Sequence, residues 1–241
     1  MYWGGITPCQ FIYAIPYGTD RMEILVTGSS GFVGSHLVPA LRERGHRVTG
    51  IDRNPPSSGA EPDHFIEGDL MHREILDEGL RHADRVFHLA AAKDDWGISR
   101  EEYFRENVKV TEALLKAAHD HEVYDHVFYS TVAVHGTGPE PKAEDTPFAP
   151  EIPYGESKVE AERRYHEFAA EHDEAHVLVL RPSAIFGEGQ PWRTNVHRLI
   201  EAIYQRRFLM IGDGSARKTT SFIENLLAAN FFLLEQMEGE V

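Results

Sequence analysis

Apolar and polar positions along the chain alternate between two rhythms. Short apolar runs read as buried strands: Ile24-Leu25-Val26-Thr27, Arg47 to Asp52, His64 to Leu70 with a turn at its end, Arg85 to Ala91, His126 to Thr131, and His176 to Leu180. Between them lie stretches with one apolar stripe at helical spacing. The first follows Gly34 and runs to about Glu43, with Gly45 as its stop. A long helix is predicted over Glu101 to Asp120, with Val108, Leu114, Leu115 and Ala118 on its inner face, and another over Gly155 to Glu171. Strands alternating with helices predict an α/β fold, a Rossmann-type doubly wound parallel sheet with right-handed crossovers. In such a sheet the ligand-facing loops gather at the carboxyl ends of the strands.

The exit of the first strand carries the strongest local signal. Thr27-Gly28-Ser29-Ser30-Gly31-Phe32-Val33-Gly34 places three glycines between a strand and a helix. Side chains are missing where a pyrophosphate would approach the backbone, and a helix N-terminus is aimed at its charge. A glycine-rich turn with no ligand would look the same in isolation. The second strand, however, ends in Asp52, about 20 residues on, where a ribose-binding acid is expected.

Composition narrows the partners. The 241 residues carry a net charge of -15, which argues against nucleic acid, since phosphate backbones call for a basic face. No run of 18 apolar residues exists, so no membrane span is expected. The single cysteine, Cys9, excludes an internal disulfide and fits a reducing, cytoplasmic setting. Fourteen histidines include no His-Glu-x-x-His pattern and no paired cysteines, and no metal site is expected. Residues 1–21 are aromatic and broken by Gly and Pro, with regular patterning starting at Met22. They are expected to form a loosely ordered N-terminal extension, followed by a dinucleotide-binding domain over 22–182 and a partial substrate-binding region over 183–241.

Tyr154-Gly155-Glu156-Ser157-Lys158 places a phenol and an ammonium four residues apart, on one face of a helix. A nearby cation stabilises phenolate and lets a tyrosine act as a base near neutrality. The spacing alone also describes an ordinary surface pair. Here it follows the fifth strand, which ends in the hydroxyls of Ser130 and Thr131. A hydroxyl, a phenol and an ammonium beside a dinucleotide form a proton relay for hydride transfer at an alcohol carbon.

These marks together resemble the extended short-chain dehydrogenase/reductases of the NAD-dependent epimerase/dehydratase family. The matching residues are Gly28, Gly31 and Gly34, Asp52, Gly68-Asp69-Leu70, His88-Leu89-Ala90-Ala91, Asn107-Val108, Ser130-Thr131, Tyr154 with Lys158, and Arg181-Pro182. The resemblance implies NAD as cofactor. Gly28, Gly31, Phe32, Val33 and Gly34 would border the pyrophosphate, and Asp52 would hold the adenosine ribose and repel a 2′-phosphate. Arg53 is the basic neighbour that would favour NADP instead. Asp69 and Leu70 would flank adenine, and Leu89, Ala90, Ala91 and Lys93 would line the middle of the cofactor. Asn107, Ser130 and Arg181 complete the cofactor set. Tyr154 would be the catalytic base and acid, Lys158 the ribose-holding cation, and Thr131 the hydroxyl that orients substrate, a role Ser130 would share. The resemblance also implies a homodimer built on the helices around Glu101 to Asp120 and Gly155 to Glu171.

The reaction is narrowed by Val132-Ala133, which directly follow Thr131. The dehydratase branch has Asp-Glu there to move protons, so these apolar residues argue against dehydration. The leading expectation is epimerisation of a nucleotide sugar, at C4 of a UDP-sugar, through a 4-keto intermediate. His135 stands where such enzymes have tyrosine, and Ala184 where they often have asparagine. Arg193, Asn195, Arg217 and Lys218 are candidate diphosphate contacts, with ordinary surface roles as the alternative. The C-terminal part reads as a truncated substrate-binding region. Two further readings remain open: an NAD(P)-dependent dehydrogenase or reductase of a sugar or other alcohol or carbonyl, and a non-catalytic NAD-binding protein.

Overall fold

A computed structural model describes residues 21–93, 97–138, 141–192, 194–210, 212–215 and 217–238. Most of the expected N-terminal extension, with Cys9, lies outside the described residues, as does Arg193. Six strands form one parallel sheet: β1 (Glu23–Thr27), β2 (Arg47–Asp52), β3 (His64–Glu67), β4 (Arg85–His88), β5 (Asp125–Tyr129) and β6 (His176–Leu180), in the order β3-β2-β1-β4-β5-β6. The chain winds outward from β1 in one direction, then returns to β4 and winds the other way. The switch between β1 and β4 opens a crevice at their carboxyl ends, as the doubly wound reading predicts.

Helices cover both faces. Helix α1 (Gly34–Glu43) buries Leu37, Val38 and Leu41 against β1, joined there by Phe231 and Leu234 of the C-terminal helix α7 (Ile223–Glu238). The run Phe231-Phe232-Leu233-Leu234 thus splits by helical phase. Two of its residues are core, while Phe232 and Leu233 face outward. On the opposite face, α2 (Arg73–Leu80) and α4 (Val110–Asp120) pack on Leu25, Ile51 and Val86, and α5 (Pro153–Glu171) packs Tyr165 and Phe168 on Phe128. No helix among the described residues is long and apolar enough to cross a membrane.

The predicted helix over Glu101 to Asp120 is more complex than one repeat. It opens as α3 (Arg100–Tyr103), capped by Ser99 and Glu102, and passes through a π-helical turn, Phe104–Lys109, into α4. A π turn widens the helix and frees backbone groups. The Thr111 hydroxyl meets that need by donating to the Asn107 carbonyl at 2.7 Å. The sequence also conceals a small parallel pair, β7 (Ala184–Phe186) with β8 (Thr220–Phe222); between them α6 (Asn195–Tyr204) has no buried residue.

His126 lies inside this core, edge-on to Tyr165 and Phe168, with Nε2 3.1 Å from the Val123 carbonyl oxygen. Burial pushes its pKa down to about 4, although that carbonyl and Asp125 pull the other way. The unfolded chain therefore takes up this proton before the folded one. Its stabilising contribution is complete above the unfolded value near 6.5 and is lost as pH falls through about 4. That span corresponds to ~3 kcal/mol. Urea midpoints should fall across this window, and His126→Phe should flatten the slope, leaving a residual from the equally buried His88.

Candidate active site

A cleft of about 580 Å³ lies at the carboxyl ends of β1, β2, β4 and β5. The glycine loop forms one wall. Gly28 has φ +71°, and a Cβ there would sit 2.7 Å from the Ala90 amide nitrogen, so only glycine lets the β1 loop approach the β4 loop. At Gly34 a Cβ would lie 2.5 Å from the carbonyl oxygens of both Gly28 and Ser29, which fixes how closely α1 packs behind the loop. The Gly28 amide donates to the Ile51 carbonyl at 2.8 Å, tying the loop to β2. Helix α1 has no side-chain cap and no acid in its first turn, so the positive end of its dipole faces the cleft uncompensated.

At the end of β2, Asp52 accepts from the Ser30 amide at 3.1 Å and the Asn54 amide at 2.9 Å. The carboxylate is thereby aimed along the cleft edge with acceptor capacity to spare. Arg53 is about half exposed and held by two carboxylates. Its Nη2 lies 2.7 Å from Asp69 and 2.7 Å from Glu106. Burial opposes ionisation of Asp69, but the Met71 amide and Arg53 outweigh it and hold that carboxyl below the ordinary range.

Leu70, Leu89, Ala90, Ala91 and Lys93 line the cleft, together with Gly31, Phe32, Val33, Ser130 and Tyr154. The Tyr154 ring stands 6.0 Å from that of Tyr103. One helical turn on, Lys158 is buried, with Nζ 4.0 Å above the Phe128 ring. Burial lowers its pKa to about 7, with Glu162 pulling upward. Beneath it His88 joins Thr27 Oγ1 at 2.7 Å to Thr111 Oγ1 at 3.2 Å. Burial, reinforced by Lys158, holds that imidazole far below its ordinary value, and thus neutral.

Several residues expected at the cofactor sit behind the cleft instead. Asn107 is buried, accepts from the Ala92 amide at 2.8 Å and donates to the Ala92 carbonyl and to Ser157. It shapes the β4 loop from outside. Arg181 turns inward because the fully buried Glu162 requires a countercharge. Its Nη2 donates at 2.7 Å and its Nε at 3.1 Å to that carboxylate, while Nη1 donates to Glu144 O at 2.8 Å and to Nε2 of His135 at 3.2 Å. The Ser130 hydroxyl makes a short hydrogen bond to the same carboxylate. Thr131, one residue past Ser130, accepts from the Ala133 amide and caps the short turn Val132–His135. Asn195 and Arg217 are exposed and lie outside the cleft lining.

Glu162, Glu106 and Tyr129 are the site residues that sequence reading missed. Glu162 stands four residues after Lys158, the same spacing that links Lys158 to Tyr154, so extending the stripe one turn would have found it. Tyr129 borders the cleft with a buried hydroxyl that has no partner among the described residues.

A parallel sheet with a glycine-lined switch-point crevice and a tyrosine–lysine helix beside it defines a dinucleotide-binding type of scaffold. The chain belongs to the NAD dependent epimerase/dehydratase family, whose model matches residues 24–241. It is 33% identical over 223 residues to a 2-alkyl-3-oxoalkanoate reductase of Stenotrophomonas maltophilia, covering 90% of this chain and 66% of the relative. It is 31% identical over 207 residues to the N-acetyl-alpha-D-glucosaminyl-diphospho-ditrans,octacis-undecaprenol 4-epimerase of Escherichia coli O157:H7, covering 85% of this chain and 61% of the relative. The chain thus spans under two thirds of the length of both. Among solved structures, the UDP-glucuronic acid 4-epimerase of Bacillus cereus in complex with NAD superposes with a TM-score of 0.79 at 30% identity, covering 89% of this chain and 74% of that one.

Proposed function

We propose that the protein binds NAD and epimerises a nucleotide sugar, at C4 of a UDP-sugar, through a 4-keto intermediate. The observation that carries this reading is the convergence of Tyr154 and Ser130 on one cleft whose opposite wall is the glycine loop. The likeness to 4-epimerases in sequence and structure supports it.

The residues present fit a dinucleotide. The uncapped α1 terminus suits a pyrophosphate, Asp52 suits ribose hydroxyls, and the orphaned Tyr129 hydroxyl is a buried polar group that a ligand would satisfy. Gly28 to Gly34, Asp52, Leu70 and Leu89 to Lys93 would hold it, within the 22–182 domain. When bound, NAD would supply the acceptor and donor of the C4 hydride. Tyr154 Oη would take the C4 hydroxyl proton and later return it. Lys158, one turn behind, would stabilise the phenolate. Thr131 and Ser130 would orient the hydroxyl, and residues 183–241, Asn195 and Arg217 among them, would contribute to the sugar-nucleotide side. Val132 and Ala133 carry no acid or base beside Thr131, so the site has no group there to expel water.

A second reading is net oxidation or reduction of an alcohol or carbonyl, favoured by the 33% identity to a reductase. Incubation with NAD and a set of UDP- and GDP-sugars separates the two. Epimerisation yields the C4 epimer with no build-up of reduced cofactor. Reduced cofactor released in proportion to substrate contradicts it.

A further inference from the structure

The π turn between α3 and α4 presents Glu106 to the cleft, where it reaches Arg53, while the next residue, Asn107, turns behind the cleft to Ala92. We infer that Glu106, together with Asp69, determines the preference for NAD over NADP by clamping Arg53. This inference rests on the dinucleotide reading above and deepens it.

Arg53 directly follows Asp52, so its guanidinium is the group placed to meet a 2′-phosphate. In the clamp it is already matched by two carboxylates from separate elements, the loop after β3 and the π turn. Glu106 is itself braced by Arg105 at 2.6 Å and is only 14% exposed. A 2′-phosphate would have to draw Arg53 out of both pairs. It would also bring about two negative charges beside Asp52, Asp69 and Glu106. A 2′-hydroxyl asks only for an acceptor, which Asp52 supplies. Arg53 is about half exposed, so each pair is weak on its own. The selectivity comes from the two pairs acting together to keep Arg53 from a 2′-phosphate.

The test is titration of NAD and of NADP, by calorimetry, into the unaltered protein, Glu106→Gln, Asp69→Asn, Arg53→Ala and the double variant Glu106→Gln/Arg53→Ala. The unaltered protein should bind NAD more tightly than NADP. Glu106→Gln should tighten NADP about tenfold and change NAD less than about twofold. Asp69→Asn should shift the ratio in the same direction. The gain for NADP should vanish in the double variant. NAD binding by each variant reports that it is folded. An unchanged NAD-to-NADP ratio in both carboxylate variants overturns the clamp, as does a gain that survives loss of Arg53. Absence of any NAD binding by the unaltered protein would instead overturn the proposed function itself.

Discussion

Tyr154→Phe lowers turnover about 100- to 10,000-fold, the range expected when a positioned acid–base group is removed. The substitution deletes one oxygen and keeps the ring that packs near Tyr103. Affinity for NAD should therefore change little, and the loss should fall on kcat. Among the described residues, neither His88 nor Lys158 replaces it. His88 is buried, engaged at both ring nitrogens and held neutral, and Lys158 lies a turn behind the cleft wall. Single-turnover measurement of hydride transfer, with NAD titration as the control, checks this. Turnover within tenfold of the unaltered protein would remove Tyr154 from the chemistry.

Glu162→Ala is the variant with the largest expected effect on stability, about 3–5 kcal/mol. The buried carboxylate receives Arg181 through two nitrogens and the Ser130 hydroxyl. Its removal strands a guanidinium only 19% exposed and deprives Ser130 of its acceptor. It also withdraws the charge that pulls Lys158 toward its protonated form. Partial access of water to Arg181 places the effect toward the lower end, and Tm should fall by roughly 10 °C. Glu162→Gln keeps the shape and one acceptor oxygen and should cost less. Equal melting of Glu162→Ala and the unaltered protein would show that the network does not hold β6 to α5.

What the sequence revealed follows from which constraints are local. Gly34 is forced by backbone a few residues away, Gly28 by its own positive φ as well as by the distant Ala90, and Asp52 by the end of its own strand, so spacing exposes them. Tyr154 and Lys158 share one helix face and are equally visible. The ion pair of Glu162 with Arg181 joins residues 19 apart in the chain, and that of Arg53 with Glu106 joins a strand end to a helix; neither leaves a periodic trace. A π turn adds one residue to a helix without breaking its apolar stripe, which is why Glu101 to Asp120 reads as regular. Asn107 illustrates the consequence. Its type and place were legible, but its bonds to Ala92 and Ser157 behind the cleft were not. The three-residue strands β7 and β8 are too short to alternate detectably.

The central claim is that hydride leaves C4 of a nucleotide sugar and returns to the same carbon within one cleft. Incubating the protein and NAD with a UDP-sugar carrying deuterium at C4 tests it directly, with the product followed by mass spectrometry and NMR. The account predicts the C4 epimer with the deuterium still at C4 and none passed to solvent or to released cofactor. Deuterium recovered in free reduced cofactor, with a ketone as the sugar product, would contradict it.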